Sequence, residues 1–388
     1  MFPSINPCPL LLVLLALAIA TSAAEEPRCG LHIENNQLRL DGRAYRGIGV
    51  NYVDAFMSQL GNPEDKTTEE AFKFLGQHAI PFLRTPFSGW GGAGMQLYLK
   101  DKEEYFRRMD RTVALAEKYR VGLICSLFWS GWVKDLTGES DLDAWNDPAS
   151  KTHQMMATYI KEVVTRYRES RAIWGWEWGN ELVLNCHLPN AKEFGIKPED
   201  HYTFQVMRKV YTTFAGEVRK YDTCRVIDSG DTSLPENGWH RWKEGSWTKD
   251  TPEQFAEILS CNAPAPLNLM SIHAYGDDFT PQRMNVAVEV ARKLHKPLYI
   301  GEFGVSGPRS KDGEAEFRKQ LAIIKEQKVV LACLWEFDVK PIPRPEWLVS
   351  PTNDKLYMIE AIEAVNRAWT VEPVQPVLQK PLRLTIAD

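Results

Sequence analysis

The sequence predicts an α/β fold: a single (β/α)8 TIM barrel with a short N-terminal β-hairpin. Runs rich in Val, Ile and aromatic residues alternate with amphipathic helical stretches between residues 47 and 369, and we count eight such runs. Strands that alternate with helices pair in parallel through right-handed crossovers, and eight units favour a closed barrel. An open doubly wound sheet would need a glycine-rich phosphate loop after its first strand. The nearest candidate, GIGVN at 47–51, lacks the third glycine and a following helix.

The predicted elements follow one another in a regular order. Residues 31–47 indicate two short alternating strands with turns at 35–36 and 41–42. The predicted barrel strands are 47–52, 82–86, 122–129, 172–180, 225–229, 269–275, 298–303 and 329–337. The predicted helices are 68–77, 102–119, 148–168, 198–221, 252–259, 281–294, 313–327 and 354–369. Their apolar residues recur every three or four positions, as Tyr105, Met109 and Val113 do in the second helix.

Composition places the chain among folded globular proteins. Its 388 residues are 44% hydrophobic and 25% charged, which excludes the disordered, collagen-like and coiled-coil classes. The 46 basic and 51 acidic residues give a net charge of −5 with no basic block, so we expect no nucleic-acid partner. The count of 13 Trp is unusual and indicates flat apolar surfaces that serve a function.

The first 24 residues are predicted to be a signal peptide. The apolar run at 10–20 is too short to span a membrane, and the small residues at 21–24 suit signal peptidase. The alternative is an N-terminal membrane anchor, because the start lacks the usual Lys or Arg. We therefore expect a secreted monomer (extracellular or periplasmic) without a membrane partner in its mature form. It would consist of a barrel domain at 25–370 and a C-terminal tail at 371–388.

The spacing of cysteine and histidine does not support a metal site. No CxxC, HExxH or HxH motif occurs, so we expect neither a metal nor any other cofactor. Cys125 and Cys333 lie in apolar strand-like runs and are expected to be buried thiols. Cys224 and Cys261 each follow a helical stretch and precede a strand, so both are expected at one end of the sheet. A disulfide between them would fit an exported protein, but the sequence leaves the connectivity open.

Chemistry in such barrels takes place at the carboxyl ends of the strands. The residues at these ends are Arg84, Trp129, Asn180, Glu181, His273, Tyr275, Glu302, Trp335 and Glu336. Glu181 and Glu302 lie at the ends of the fourth and seventh strands, so both fall at the same rim. Two carboxylates across an aromatic-lined pocket are the minimum equipment for glycoside hydrolysis, because one protonates the leaving oxygen and the other attacks or activates water. Glu336 and Asp338 are expected to be charges on the rim.

Four motifs resemble those of a known family. WEWGNE at 176–181, HAY at 273–275, IGEFG at 300–304 and LWEF at 334–337 follow an opening LRLDGRAYRGIGVNY. In order and spacing they resemble clan A retaining glycoside hydrolases, and within that clan family 5, the cellulase and mannanase family. The resemblance extends over roughly residues 31–369.

The resemblance implies roles for the acidic residues. Glu181 is implied to be the general acid/base and Glu302 the nucleophile. Asn180 is implied to hydrogen-bond the 2-hydroxyl of the sugar at the cleavage point, a contact that strengthens in the transition state. Glu177 matches a supporting residue of the fourth strand and is the first competitor if Glu181 is not the acid.

Four further residues are implied to support the pair or to bind the sugar. His273 and Tyr275 point to the same strand face and are implied to orient the acid/base and the nucleophile, respectively. Arg84 is implied to keep the nucleophile ionised, and Trp335 to be the platform on which a sugar stacks. The alternative is that His273, Tyr275 and Arg84 are a core histidine, a packing aromatic and a structural ion-pair partner.

Other tryptophans are candidates for stacking on β-linked sugars. They lie in predicted loops or at strand ends: Trp90, Trp129, Trp132, Trp145, Trp239, Trp242, Trp247 and Trp347. The alternative is that half of them fill the core between barrel and helices. Two positions that shape sugar subsites depart from the family pattern: Phe128-Trp129, where many members have a His, and Leu182, where a Pro often follows the Asn-Glu pair.

The sequence as a whole predicts an exported retaining β-glycoside hydrolase acting by double displacement on a β-linked polysaccharide or oligosaccharide, with β-glucan or β-mannan as the leading substrates. Two alternatives remain, a carbohydrate-binding or structural barrel without catalysis and a transglycosylase that uses the same residues. For a retaining mechanism we expect the Glu181 and Glu302 carboxyl groups to lie about 5–5.5 Å apart.

Overall fold

A computed structural model describes residues 29–197, 202–232 and 236–371. The predicted signal peptide and residues 372–388 of the predicted tail lie outside the described residues. The described strands are β1 His32–Glu34, β2 Gln37–Leu40, β3 Arg43–Ala44, β4 Gly47–Asn51, β5 Phe82–Pro86, β6 Gly122–Ser126, β7 Ile173–Glu177, β8 Val226–Asp228, β9 Met270–His273, β10 Leu298–Phe303 and β11 Leu331–Leu334.

The helices pack around these strands. They are α1 Asp54–Gly61, α2 Thr67–Gln77, α3 Gly91–Gly94, α4 Gln96–Lys100, α5 Lys102–Tyr119, α6 Trp132–Thr137, α7 Asp141–Asn146, α8 Lys151–Tyr167, α9 Phe204–Arg219, α10 Gly238–Glu244, α11 Pro252–Cys261, α12 Pro281–Lys293, α13 Lys311–Glu326 and α14 Leu356–Val371. Within the described ranges, no helix is long and apolar enough to cross a membrane.

Strands β4 to β11 form the predicted (β/α)8 barrel. All of their pairings are parallel, in the order β8-β7-β6-β5-β4-β11-β10-β9. The seam between β8 and β9 is bridged because the N–H groups of Asn268 and Leu269 donate to the Ile227 carbonyl at 3.1 and 3.2 Å. The fold class predicted from the alternating pattern is therefore confirmed, with every strand carboxyl end at one rim.

The N-terminal hairpin covers the opposite, amino-terminal end of the barrel. Its two turns, at 35–36 and 41–42, have positive φ at all four residues, which suits the Asn-Asn and Asp-Gly pairs there. The second turn leads into β3, a short strand beyond the two that the sequence predicts. Leu31 and Leu38 pack on barrel residues, among them Trp174. The hairpin thus seals the base and leaves the other rim for a site.

A disulfide joins the segment before the hairpin to the barrel. Cys29 pairs with Cys224, with their Cα atoms 6.0 Å apart, while Cys261 is a free thiol. The connectivity that the sequence left open is therefore not Cys224 with Cys261, because Cys261 ends α11 and Cys29 lies beside the start of β8. Cys125 and Cys333 are buried free thiols, as predicted.

The main helices agree with prediction to within a few residues, and their starts differ for a local reason. The helix predicted at 148–168 begins at Lys151, because Ser150 accepts a hydrogen bond from the His153 N–H and caps it. In the same way Thr203 caps α9, whereas residues 198–201 of the helix predicted at 198–221 lie outside the described residues. Short helices α6, α7 and α10 occupy segments that the sequence indicates as loops above the site.

Candidate active site

The site is built at the carboxyl ends of the barrel strands. Arg84 lies within β5, His273 ends β9 and Glu302 lies within β10, with β9 and β10 paired so that Glu302 lies opposite His273. Glu181 lies four residues beyond the end of β7. Its backbone is left-handed, with φ 49° and ψ 32°, which costs a non-glycine residue roughly 1–2 kcal/mol. The surrounding structure must therefore hold this turn.

Arg84 is the centre of the site. Its guanidinium is fully buried, and its Nε donates to both oxygens of Glu177 at 2.9 and 2.8 Å. One terminal nitrogen donates to Glu302 at 2.8 Å, and the other donates to the Asn180 side-chain oxygen at 2.8 Å. Burial acts to lower the pKa of Arg84, but Glu177 and Glu302 outweigh it and raise the pKa well above its ordinary value. Arg84 is therefore a fixed positive charge shared by two carboxylates.

Both carboxylate oxygens of Glu302 accept a hydrogen bond. Oε1 accepts from Arg84, and Oε2 accepts from the Tyr275 hydroxyl at 2.7 Å. Burial raises the pKa of Glu302 above its ordinary value, against the lowering effects of His273, Arg84 and Tyr275. Burial and the Glu302 charge raise the pKa of Tyr275 well above its usual range, so the phenol keeps its proton and donates. These bonds fix the orientation of the Glu302 carboxylate.

Glu181 is more exposed to solvent than Glu302, and its main hydrogen-bond partner is His273. Its side chain is 27% exposed, and its Oε1 lies 2.8 Å from His273 Nδ1, which lies 3.4 Å from Glu302 Oε1. Burial acts to raise the pKa of Glu181, but the hydrogen bond and electrostatic effect of His273, together with Arg84, outweigh it and lower the pKa. Gly301 makes room for the imidazole, since a Cβ there would lie 2.7 Å from Nε2.

The two carboxylates lie close to each other. One oxygen of Glu181, one oxygen of Glu302 and a nitrogen of His273 all lie within 4.8 Å of one another. In the part of the chain that the structure describes, these atoms also meet the spacing of a metal site. However, Arg84 already supplies a positive charge to Glu302, so the donor set suits proton and group transfer without an ion. The nearest oxygens of Glu181 and Glu302 are thus no more than 4.8 Å apart, which is shorter than the ~6.5–9.5 Å that leaves room for a water between two carboxyl groups.

The structure brings the predicted catalytic and binding residues together at one rim. The predicted sugar platform, Trp335, differs from the expectation because it is buried. The Trp335 ring is only 5% exposed, because the Trp129 ring lies parallel to it at 6.3 Å and Arg344 lies 4.8 Å from its centre. Arg84 in turn lies 4.5 Å from the centre of the Trp129 ring. A sugar between two rings would need about 7–8 Å, two carbon contacts of ~3.5–4 Å, so none fits between Trp129 and Trp335 as they stand.

The candidate tryptophans divide between core and surface. Trp132 and Trp145 are fully buried in the main core, so they pack the fold and do not stack on sugars. Trp239 and Trp242 are partly buried against that core. Trp90 and Trp247 are half-exposed, and the Trp90 ring lies 6.1 Å from that of Trp129. Of the eight candidates, Trp132 and Trp145 therefore fill the core, and Trp239 and Trp242 pack partly against it.

The expectation that Glu336 and Asp338 are rim charges is wrong. Both are buried, at 4% and 1% exposure, because the segment after β11 folds back over them and the Val349 N–H donates to the Glu336 carbonyl at 2.9 Å. Burial raises the pKa of each to about 7. The same segment places Trp347 against Tyr275, with ring centres 5.1 Å apart.

Three further buried residues surround Arg84, and the sequence singled out only one of them, Glu177, as a supporting residue. Asn51 accepts from Arg84 at 3.1 Å and donates to the Gly301 carbonyl at 2.8 Å, so it joins β4 to β10. Glu177 is the bidentate partner of Arg84, in keeping with a supporting residue. Burial and the adjacent Glu177 raise the pKa of Asp228 well above its ordinary value. The signal for Asn51 and Asp228 was their position, a polar residue at the end of an apolar strand.

Comparison with protein-family models assigns most of the chain to one family. A family model described as Cellulase (glycosyl hydrolase family 5) matches residues 44–340. Among curated proteins, the chain is 24% identical over 304 residues to mannan endo-1,4-beta-mannosidase F of Aspergillus clavatus, covering 69% of this chain and 63% of that protein. It is 34% identical over 173 residues to "Probable mannan endo-1,4-beta-mannosidase F" of Aspergillus flavus, covering 37% and 35%. The matched part thus spans between one third and two thirds of these relatives' length.

Solved structures agree in fold. An endo-1,4-beta-mannanase from Rhizomucor miehei superposes with a TM-score of 0.65 at 15% identity, covering 87% of this chain and 99% of that one. At this identity the likeness concerns the barrel architecture alone.

Proposed function

The chain belongs to glycosyl hydrolase family 5 and is a glycoside hydrolase, and from this premise we propose that it cleaves β-1,4-mannan with retention of anomeric configuration. The observation that carries the proposal is the pair of carboxylates, with one oxygen from each within 4.8 Å of the other. Retaining enzymes need this short separation because the second carboxylate attacks the sugar directly, without room for a water. The relatives described as mannan endo-1,4-beta-mannosidases support mannan as the substrate.

In the first step Glu302 attacks the anomeric carbon while the bond to the leaving sugar breaks. Arg84 and Tyr275 support this role, because they hold both oxygens of Glu302 and favour its ionised form. Glu181 donates its proton to the leaving oxygen. In the second step Glu181 takes a proton from water, the hydroxyl attacks the same carbon, and the bond to Glu302 breaks.

Proton donation by Glu181 requires the bound sugar to change its environment. Without substrate the pKa of Glu181 is lowered and that of Glu302 is raised, the reverse of what the first step needs. Burial is the largest single influence on Glu181, whose side chain is still 27% exposed. A sugar that displaces water from Glu181 therefore raises its pKa and favours the protonated acid.

Asn180 is proposed to bind the sugar hydroxyl next to the anomeric carbon. Its side-chain oxygen accepts from Arg84 at 2.8 Å, so the amide can serve a sugar hydroxyl only through its N–H groups. A hydrogen bond from this amide strengthens as charge develops on the sugar, and so stabilises the transition state more than the ground state.

The test is hydrolysis of a panel of β-linked glycans by the purified protein. We expect cleavage of β-1,4-mannan, and cleavage of cellulose but not mannan would overturn the choice of sugar. Proton NMR should detect the β-anomer as the first product, whereas an initial α-anomer would overturn retention. Glu302→Ala should abolish turnover of an aryl β-glycoside, and added azide should restore release of the aryl group from Glu181→Ala. Products longer than the substrate in the presence of an acceptor sugar would indicate transglycosylation.

Export of the protein is also proposed. The Cys29–Cys224 disulfide supports it, because disulfides persist in oxidising compartments outside the cytosol. Sequencing the N-terminus of protein recovered outside the cytoplasm should find a start near residue 25, and an intact residue 1 on protein retained in the membrane would favour the anchor.

A further inference from the structure

We infer that Asp231 is a positioning residue for Glu181, which it aims by holding the backbone turn that carries this carboxyl. The inference rests on the proposed function, because it assigns Asp231 to the support of the proposed acid/base. Asp231 lies three residues beyond β8, outside every motif that the sequence suggested, and it does not reach the reacting atoms itself.

The turn at Glu181 needs support on both sides. Its left-handed φ of 49° is unfavourable for a side chain with a Cβ. On the near side, the Glu181 N–H donates to the Gly230 carbonyl at 3.1 Å. On the far side, the Val183 N–H donates to Asp231 Oδ1 at 3.1 Å. Gly230 and Asp231, which follow β8, therefore hold the turn by hydrogen bonds, Gly230 through its backbone carbonyl and Asp231 through its carboxylate.

Asp231 is itself held in one orientation. It is fully buried, and its other oxygen accepts from the Tyr211 hydroxyl and from Asn262 Nδ2, the latter at 3.2 Å. Burial raises the pKa of Asp231 to about 6, which reflects how poorly the surroundings solvate its charge. A buried carboxylate is costly, and three converging donors keep its Oδ1 directed at Val183.

The same short segment also supports the partner of Glu181. The Thr232 hydroxyl donates to the His273 carbonyl at 3.4 Å, and the Ser271 hydroxyl donates to the Asp231 carbonyl at 3.4 Å. Gly230 has φ 68° and packs so closely that a Cβ would lie 2.1 Å from the Gly179 carbonyl oxygen. Residues 230–232 thus fix both Glu181 and the histidine that hydrogen-bonds it.

A misplaced Glu181 has a kinetic signature that loss of stability lacks. Cleavage of a glycoside with a poor leaving group depends on proton donation, while dinitrophenolate departs with little help. General acid catalysis contributes about 10²–10⁴-fold, and displacement by ~1 Å can cost ~10²-fold. A positioning defect therefore lowers kcat/KM for a phenyl glycoside far more than for a dinitrophenyl glycoside of the same sugar.

The experiment compares these two aryl β-mannosides in four proteins. Asp231→Leu should lose about 10²-fold in kcat/KM on the phenyl substrate and less than about 3-fold on the dinitrophenyl one. Asp231→Asn, which keeps an oxygen for the Val183 N–H, should recover most of the loss. Asn366→Leu is the matched control, because Asn366 is buried and hydrogen-bonds the Ile48 backbone at 2.9 and 2.8 Å on another side of the barrel. It should lower the unfolding temperature without changing the ratio of the two rates.

An equal loss on both substrates in Asp231→Leu, or no loss at all, would overturn the inference. If that variant does not fold, as judged by circular dichroism, Asp231→Ser takes its place, because its hydroxyl is too short to reach Val183 but stays polar. A wild-type protein inactive on both aryl glycosides and on mannan would overturn the proposed function itself. This outcome differs from an equal loss on both substrates in Asp231→Leu, which overturns only the inference about Asp231.

Discussion

Replacement of Arg84 by Met is expected to destabilise the protein and to impair catalysis. The change removes the cation that lies between Glu177 and Glu302 and leaves both carboxylates buried. Removing one partner of a buried ion pair typically costs about 3–5 kcal/mol, because the remaining charge is uncompensated. At roughly 2–4 °C per kcal/mol, the midpoint of thermal unfolding should fall by on the order of 10 °C.

The loss of activity follows from the same contact. Arg84 donates to Glu302 at 2.8 Å and opposes the effect of burial on the pKa of that carboxyl. Without Arg84 the pKa of Glu302 rises further, so less of the ionised nucleophile is present at a given pH. The acidic limb of the kcat/KM profile should therefore move to higher pH, and kcat/KM should fall by about 10²–10³-fold.

Arg84→Lys is the matched variant for this prediction. It keeps the charge, but a single ammonium cannot reproduce the fork that contacts Glu177, Glu302 and Asn180 together. We expect a smaller fall in unfolding temperature and an acidic limb between those of wild type and Arg84→Met. The measurements are circular dichroism melts and pH profiles on an aryl β-mannoside. A melt of Arg84→Met within about 2 °C of wild type with an unmoved acidic limb would refute the reasoning.

Three further predictions concern other parts of the molecule. Because Cys29 and Cys224 are 195 residues apart in sequence, replacing both by Ser should cost about 2–5 kcal/mol of unfolding free energy; denaturant titration measures this, and an unchanged midpoint would argue against the bond. Glu336 has a folded-state pKa of about 7, above an unfolded value of ~4.3, so it lowers stability progressively as pH rises between these values. Glu336→Gln should therefore match wild type near pH 4 and exceed it by on the order of 1–3 kcal/mol at pH 8, and a difference independent of pH would contradict this. Trp90 is 47% exposed beside Trp129, so Trp90→Ala should raise KM for mannan about 10-fold through the loss of ~50 Å² of apolar contact. Trp90→Phe should retain most of the affinity, and an equal rise of KM in both variants would argue against stacking.

The fold was predictable because its determinants are local. The alternation of apolar strands and amphipathic helices can be counted along the chain, and parallel crossovers then leave few arrangements. The strand ends were less predictable than the strands. The fourth strand was expected to reach residue 180 but β7 ends at Glu177, and the chain then turns at Glu181 with a positive φ. Such a turn depends on hydrogen bonds from a neighbouring strand end that no local pattern reveals.

The site was predictable in membership but not in its supporting contacts. Glu181, Glu302 and Arg84 lie in or just after the carboxyl-terminal parts of separate strands, and the rule that barrel chemistry lies at these ends was enough to group them. By contrast, Glu336 resembled a rim charge in sequence, and only the return of the chain over it makes it buried. Asp231 had no motif at all, because its importance arises from the Val183 N–H that it meets.

The order of residues along the chain was enough to establish the barrel, the common rim of Glu181 and Glu302 and most of the polar residues at that rim, since periodicity and strand order depend on the chain alone. Folding then sets which of these groups touch. It paired Arg84 with two carboxylates, stacked Trp129 on Trp335 and linked Cys29 to Cys224 instead of Cys261 to Cys224. The physical reason is that charge pairing, ring packing and disulfide geometry act over a few ångströms between segments far apart in sequence, and only the folded chain sets those distances.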